Sequence, residues 1–336
     1  MTTALRILPP GRCFMVRNSL LSLSAALAAL ACNDTTVAPG ARLGSILADR
    51  FDNSEWSVPV NLGPVVNSSA ADMNAGLSPD QHALYFGSNR PGGMGGNDIW
   101  VSHRTCLQCA WETPVNLGTA INTSTNEGAP TLSDDGRLLF FYSGRSGGQG
   151  GSDIWVSQRI STGADGDLWG DPVNLGPDVN TAGSEQGASY VRGDGEGTAT
   201  LYFNRGPSGG DQDIYKVSLS SDGEPLGPAV AVSELNSTST DQKVAVRTDG
   251  HELLLSSNRA GTFGDLDIWR FTRQAIHDAW SAAEHLGAPL NTSYIDSQAS
   301  LSRDGRTLIF TSNRPGGSGG NDLWMSTRTP SGKEVP

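Results

Sequence analysis

The sequence predicts an all-β fold, a five-bladed β-propeller of four-stranded antiparallel blades, on three observations. The stretch Glu127 to Arg159, E-G-A-P-T-L-S-D-D-G-R-L-L-F-F-Y-S-G-R-S-G-G-Q-G-G-S-D-I-W-V-S-Q-R, returns in five places, so the chain is first of all a repeat array. Its Asp-aliphatic-aromatic triplets begin at Asp98, Asp153, Asp213, Asp267 and Asp322, at spacings of 55, 60, 54 and 55 residues. Within a unit two short apolar runs flank an Asp-Gly turn, as at Asp135-Gly136, Asp249-Gly250 and Asp304-Gly305, the strongest short-range hairpin signal. Nothing in the array has the 3.6-residue period of a helix.

Each unit reads as four strands. The run after each acid alternates, with Ala299 and Leu301 on one face, as an innermost strand should. The next run, L-L-F-F-Y or L-I-F, is apolar on both faces and belongs between two neighbours. The triplet I-W-V-S makes a third strand. A fourth, W-E-T-P-V-N-L, tolerates its proline only at an outer edge. Trp56, Trp111, Trp169 and Trp280 head these outer segments, and only Pro225-Leu226-Gly227 remains of the fourth copy. The array opens with an outer segment at Trp56 and closes after a third strand at Arg328. The N-terminal strand, about residues 55–62, is therefore expected to complete the last blade and close the ring over residues 51–328.

Length and composition allow one such domain: 336 residues, 37% hydrophobic, 42 Gly and 18 Pro. A net charge of −12 argues against nucleic acid and against anionic lipid surfaces, which need a basic face. Arg12 and Arg17 precede an apolar run, Leu20 to Leu30, too short to span a bilayer and ending in small residues. Residues 1–31 read as a signal peptide, with Met15 a candidate start. Cys32 after A-A-L-A resembles a lipoprotein box, which implies acylation at Cys32 and a periplasmic or outer-membrane lipoprotein held to the membrane only through that lipid. Residues 32–50 read as a flexible tether and 329–336 as a disordered tail.

In an oxidising compartment Cys106 and Cys109 read as a local disulfide; with His103 they form only three ligands of a zinc site, so no metal centre is assigned.

Each outer segment ends in an asparagine, Asn67, Asn122, Asn180, Asn236 or Asn291, and five residues later comes a carboxylate: Asp72, Glu127, Glu185, Asp241 or Asp296. Each acid precedes an arginine by 18 residues, or 20 in the third unit: Arg90, Arg145, Arg205, Arg259 and Arg314. With the turn midway, the two are cross-strand neighbours. Each arginine also precedes a triplet aspartate by 8 residues, so the spacing predicts acid-Arg-acid rows, Asp98, Asp153, Asp213, Asp267 and Asp322 supplying the second acids. At rim exposure such pairs contribute about 0.2–1 kcal/mol each. The alternative is that the five first-strand acids ring the channel and bind a ligand or Ca2+, although no cofactor is required. Because the same acid occurs in every blade, the row reads as structural, and no catalytic residue is assigned. Gly316-Gly317-Ser318-Gly319-Gly320 satisfies G-x-S-x-G, but Met94 and Gln149 occupy the serine position in sister units.

The stretches S-P-D-Q-H-A-L-Y-F-G-S-N-R-P-G-G-M-G-G-N-D-I-W and S-R-D-G-R-T-L-I-F-T-S-N-R-P-G-G-S-G-G-N-D-L-W resemble the WD40-like propeller repeat of TolB-type proteins, over about residues 56 to 328. The resemblance implies a bacterial envelope propeller that binds partners. The separate N-terminal domain of TolB is missing, and five repeats stand where six are expected.

Two functions follow. The first is a monomeric, non-enzymatic scaffold binding an envelope protein or glycan through the face that carries the glycine loops, with Asp211, Lys243 and Asp265 supplying specificity. The second is a glycoside hydrolase or lyase-type enzyme using central carboxylates, with Glu127 and Glu185 as the candidate pair.

Overall fold

The computed structural model describes residue 51 and residues 54–163, 166–193, 197–207 and 209–330. The signal segment, Cys32, the tether and residues 331–336 of the tail lie outside the described residues.

Five antiparallel sheets follow one another along the chain as blades I to V. Their innermost strands are β2 (Asp72–Leu77), β6 (Glu127–Leu132), β11 (Ser184–Arg192), β15 (Asp241–Val246) and β19 (Asp296–Leu301). The second strands are β3 (Ala83–Ser88), β7 (Leu138–Ser143), β12 (Thr198–Gly206), β16 (Glu252–Ser257) and β20 (Thr307–Ser312). The third are β4 (Asp98–His103), β8 (Asp153–Gly163), β13 (Asp213–Ser220), β17 (Asp267–Thr272) and β21 (Asp322–Thr327). Outermost lie β5 (Val115–Asn116), β10 (Val173–Asn174), β14 (Val230–Ala231), β18 (Glu284–His285) and, in blade V, β1 (Val60–Asn61). Val60 stands opposite Met325 and Asn61 opposite Trp324, so the start of the array completes its last blade. Neighbouring innermost strands meet all the way round, β19 against β2 included.

Two details depart from the sequence reading. The outermost strands pair over only two residues; in blades I, II and V the proline before the Val-Asn pair has no N–H to give the ladder. In blade II, β8 runs on and folds back on an added strand, β9 (Gly166–Trp169).

The core is five layers, one between each pair of consecutive blades. Alternation along the second strands makes this possible: Leu84 and Phe86 pack toward blade V, while Ala83 and Tyr85 pack toward blade II. A second stitch lies in the backbone. Two residues after its acid, every innermost strand bulges at a left-handed residue: Asn74, Ala129, Gly187, Lys243 and Gln298, with φ from 44° to 62°. The bulge turns an N–H toward the preceding blade, where Asn74 N donates to Thr311 Oγ1 at 3.1 Å and Gln298 N to Ser256 Oγ at 2.7 Å.

The repeated asparagines join blade to blade. Asn122 is buried, accepts from Ile99 N at 2.8 Å and donates from Nδ2 to Ile99 O and to Asn116 Oδ1, both at 2.9 Å. Asn67, Asn180, Asn236 and Asn291 grip Leu323, Ile154, Ile214 and Ile268 in the same way. Asn122→Ala leaves a buried amide and carbonyl unpaired and is expected to cost about 2 kcal/mol, read as a lowered urea midpoint with an unchanged slope.

Candidate functional site

The five first-strand acids are completely buried. Asp72 accepts from Ser68 N and Oγ and from Arg90 Nη2; Glu127 accepts from Thr123 N at 2.8 Å and Ser143 Oγ at 2.6 Å and lies 3.7 Å from Arg145 Nη2. Glu185 takes Arg205 Nε at 3.0 Å and Thr181 N at 2.9 Å, and Asp241 and Asp296 pair with Arg259 and Arg314. Every acid is thus committed to its own connection and its own arginine, and among the described residues no three His, Cys, Asp or Glu gather as candidate metal ligands. All five carboxylates, Glu127 and Glu185 among them, are closed off from solvent and held by protein donors.

The arginines are not bridged to the second acids. Arg90 spends its remaining donors on Ser88 Oγ and Val66 O, and its guanidinium lies 4.9 Å from the Phe86 ring centroid and 5.3 Å from that of Trp100. Arg145 and Arg314 lie against the equivalent rings, and Arg205 and Arg259 against Phe203 with Tyr215 and Trp269 with Phe271. Asp98, Asp153 and Asp322 instead cap the glycine loops: Asp98 accepts from Met94 N, from Gly95 N at 3.3 Å and from Asn116 Nδ2 at 2.9 Å. Asp153 and Asp322 do the same with Asn174 and Asn61. Asp267 pairs with His285 at 2.7 Å, and Asp213 is exposed. A Cβ at Gly148 would sit 2.2 Å from Asp153 Oδ2, which is why the loop needs glycine there. Cys106 and Cys109 form a disulfide, Cα to Cα 5.0 Å.

On the loop face that the sequence suggested as the ligand face, the glycine loops stay exposed while the capping aspartates of blades I, II and V are buried. Asp211 there accepts from Thr240 Oγ1 at 2.9 Å. At the other end of the wheel, between the second halves of the innermost strands and the hairpin turns, lies an axial cavity of ≈ 80 Å³. A lateral groove of ≈ 780 Å³ between blades III and IV shares Asp134, Thr248 and Arg303 with its lining.

Here the fivefold symmetry breaks. The second residue of each hairpin turn is Pro79, Asp134, Gly193, Thr248 or Arg303, five different side chains on one scaffold position. Asp134 Oδ2 is buried without a hydrogen-bond partner. Burial pushes its carboxyl above the ordinary range, against the charges of Arg303 and Arg192. Its neighbour Asp135, in contact with Ser133 and Arg137, is held down at about 2 despite some burial. Two adjacent aspartates are thus pushed apart in proton affinity. Lys243, on the bulge of β15, also lines the axial cavity; its Nζ donates to Ala188 O at 3.1 Å, and burial pushes it down to about 8. Of these residues the sequence reading singled out only Lys243. Asp134 and Arg303 stood in plain view as departures from the repeat at a turn position taken for hairpin chemistry alone.

No protein-family model and no curated protein matches the chain. Solved structures do. The catalytic domain of the Coprinopsis cinerea GH62 α-L-arabinofuranosidase superposes with a TM-score of 0.54 at 14% identity, covering 83% of this chain and 98% of that one. A thermostable family-43 glycoside hydrolase gives 0.53 at 14%, covering 81% and 92%. A putative TolB from Agrobacterium tumefaciens gives 0.46 at 15%, covering 83% and 99%. At such identities the likeness is one of fold. It still overturns the expectation that put a non-enzymatic scaffold first, because the structures sharing the fold at the higher scores are glycoside hydrolases. That expectation rested on symmetry, and the hairpin-turn end is not symmetric.

Proposed function

We propose that the chain is a glycoside-processing propeller acting at the hairpin-turn end of its axis, with Asp134 as the proton donor to the leaving glycosidic oxygen. The observation that carries this reading is the buried, unpartnered Oδ2 of a carboxyl raised by burial at the junction of two cavities. A leaving alkoxide needs an acid within reach of the substrate, and the completely buried Glu127 and Glu185 line neither cavity. The arabinofuranosidase that shares the fold supports the choice of substrate bond. The anomeric C–O bond breaks as Asp134 protonates the leaving oxygen, and water adds to the anomeric carbon and gives up a proton that restores the Asp134 carboxyl. With residues 1–31 as export signal and Cys32 as lipid anchor, the enzyme would meet glycans outside the cytoplasm; the TolB-like repeat would then reflect shared blade architecture.

The test is release of reducing sugar from a panel of α-L-arabinofuranosides, arabinans, xylans and pectins. The wild type is expected to turn over at least one of them, and Asp134→Asn to lower kcat about a hundredfold with an unchanged melting temperature. Silence across the panel, or an Asp134→Asn enzyme as fast as wild type, would sink the proposal.

A further inference from the structure

Four blades carry an arginine six residues after the aspartate that starts the third strand, Arg104, Arg159, Arg273 and Arg328. Its Nε donates to a hairpin carbonyl of the same blade, that of Gln81, Gly136, Gly250 or Gly305. Its guanidinium lies 4.2 to 4.5 Å from the ring centroid of Trp111, Trp169, Trp280 or Trp56. Blade III has lost both partners together: Leu219 stands in the arginine position, and Pro225-Leu226-Gly227 replaces the tryptophan segment. The lateral groove of ≈ 780 Å³ opens beside this unlatched blade, lined by Gly193 and Thr198 of its hairpin and by Leu226 and Pro228. That volume is in the range of small-ligand sites.

Among the described residues, Arg192, Lys216, Arg273 and Arg303 line the groove with two carboxylates, Asp134 and Asp249. Among the described residues none of Arg192, Lys216 and Arg303 has a carboxylate within ion-pairing distance, and Arg192 and Arg303 are exposed. These cations beside the proposed acid, on a wall that also presents Val217, Leu226 and Val230, suit a ligand with an apolar ring face and a negative group.

We infer that the groove between blades III and IV is a subsite for carboxylate-bearing sugars, so that the substrate class is an acidic, uronate-containing polysaccharide. Arg192 and Lys216 take the sugar carboxylate, and the bond to be broken is presented to Asp134. The inference rests on the glycoside-processing reading and narrows it.

The experiment is isothermal titration of the full chain carrying Asp134→Asn, to silence turnover, with an oligogalacturonate and with its methyl ester, which keeps the sugar and removes the charge. Binding is expected to weaken about tenfold on esterification, about tenfold in the Arg192→Gln/Lys216→Gln variant, and further with added salt. If that variant melts early, Lys216→Gln alone serves as the second readout. No binding of the acid form, equal binding of acid and ester, or undiminished binding by the groove variants overturns the inference. Turnover of neutral arabinan that falls with Asp134→Asn would leave the enzyme reading standing while these results removed the subsite.

Discussion

Replacing Glu252 by Gln is expected to lower the unfolding free energy by about 3–5 kcal/mol, the largest stability loss of any single polar change in the chain. Glu252 heads β16 of blade IV and is buried. Its carboxylate accepts from Arg328 Nη1 at 2.8 Å and Nη2 at 2.5 Å and from Arg247 Nη1 at 2.9 Å. Arg270 Nε stands 3.2 Å from Oε1 without the angle of a hydrogen bond. Phe51 lies against the cluster, its ring centroid 4.1 Å from the Arg328 guanidinium carbon and 5.1 Å from that of Arg247. One carboxylate therefore neutralises guanidinium groups of blades IV and V, and an amide in its place would strand them. Burial pushes the Glu252 carboxyl up, but the hydrogen bonds and charge of Arg328, with Arg247 and Arg270, outweigh it and hold the group below its ordinary value. Its stabilisation is thus present above the ordinary carboxylate range and fades as pH falls through the lower folded-state value. Urea unfolding of both forms at neutral and acidic pH measures this; a neutral-pH loss under about 1 kcal/mol would mean the cluster behaves as an exposed pair.

Lys243→Met should have the opposite sign. Lys243 is buried, has one carbonyl partner and is pushed by burial from 10.5 down to about 8. Between those two values the unfolded chain binds more protons than the folded one, so wild-type stability rises with pH through the window. The methionine form is expected to be the more stable at neutral pH by on the order of 3 kcal/mol, with the gap closing as pH climbs from about 8 toward 10.5. Comparing the two proteins cancels the tyrosines, among which Tyr85, Tyr142, Tyr190 and Tyr202 are all raised by burial. A constant gap across this range would show that the ammonium is solvated in the folded state.

Regular spacing made the fold readable. The 18-residue interval with a turn at its midpoint described the β2–β3 hairpin, in which Asp72 stands opposite Ser88, and the leading Trp56 segment described the closing strand. The partner of each arginine was less readable. A spacing of 8 residues says that Asp98 closes the loop after Arg90, but not that backbone amides take the carboxylate while Phe86 and Trp100 take the guanidinium. Sites are harder still, since they lie where the repeat fails. Glu252 occupies a position held by Ala83, Leu138, Thr198 and Thr307 elsewhere, and Asp134 is one of five unlike residues on a turn. Seen along the chain, such differences look like drift; only burial, which depends on the neighbouring blade, raises the Asp134 carboxyl above its ordinary range.

The shared last blade has a topological corollary. Ser57 N donates to Thr327 O at 2.8 Å, so the first and last strands of the array lie side by side in one blade. A short linker joining the array near residues 54 and 330 would make the wheel a continuous loop, and new ends could then be cut at an exposed hairpin of another blade without exchanging a single strand.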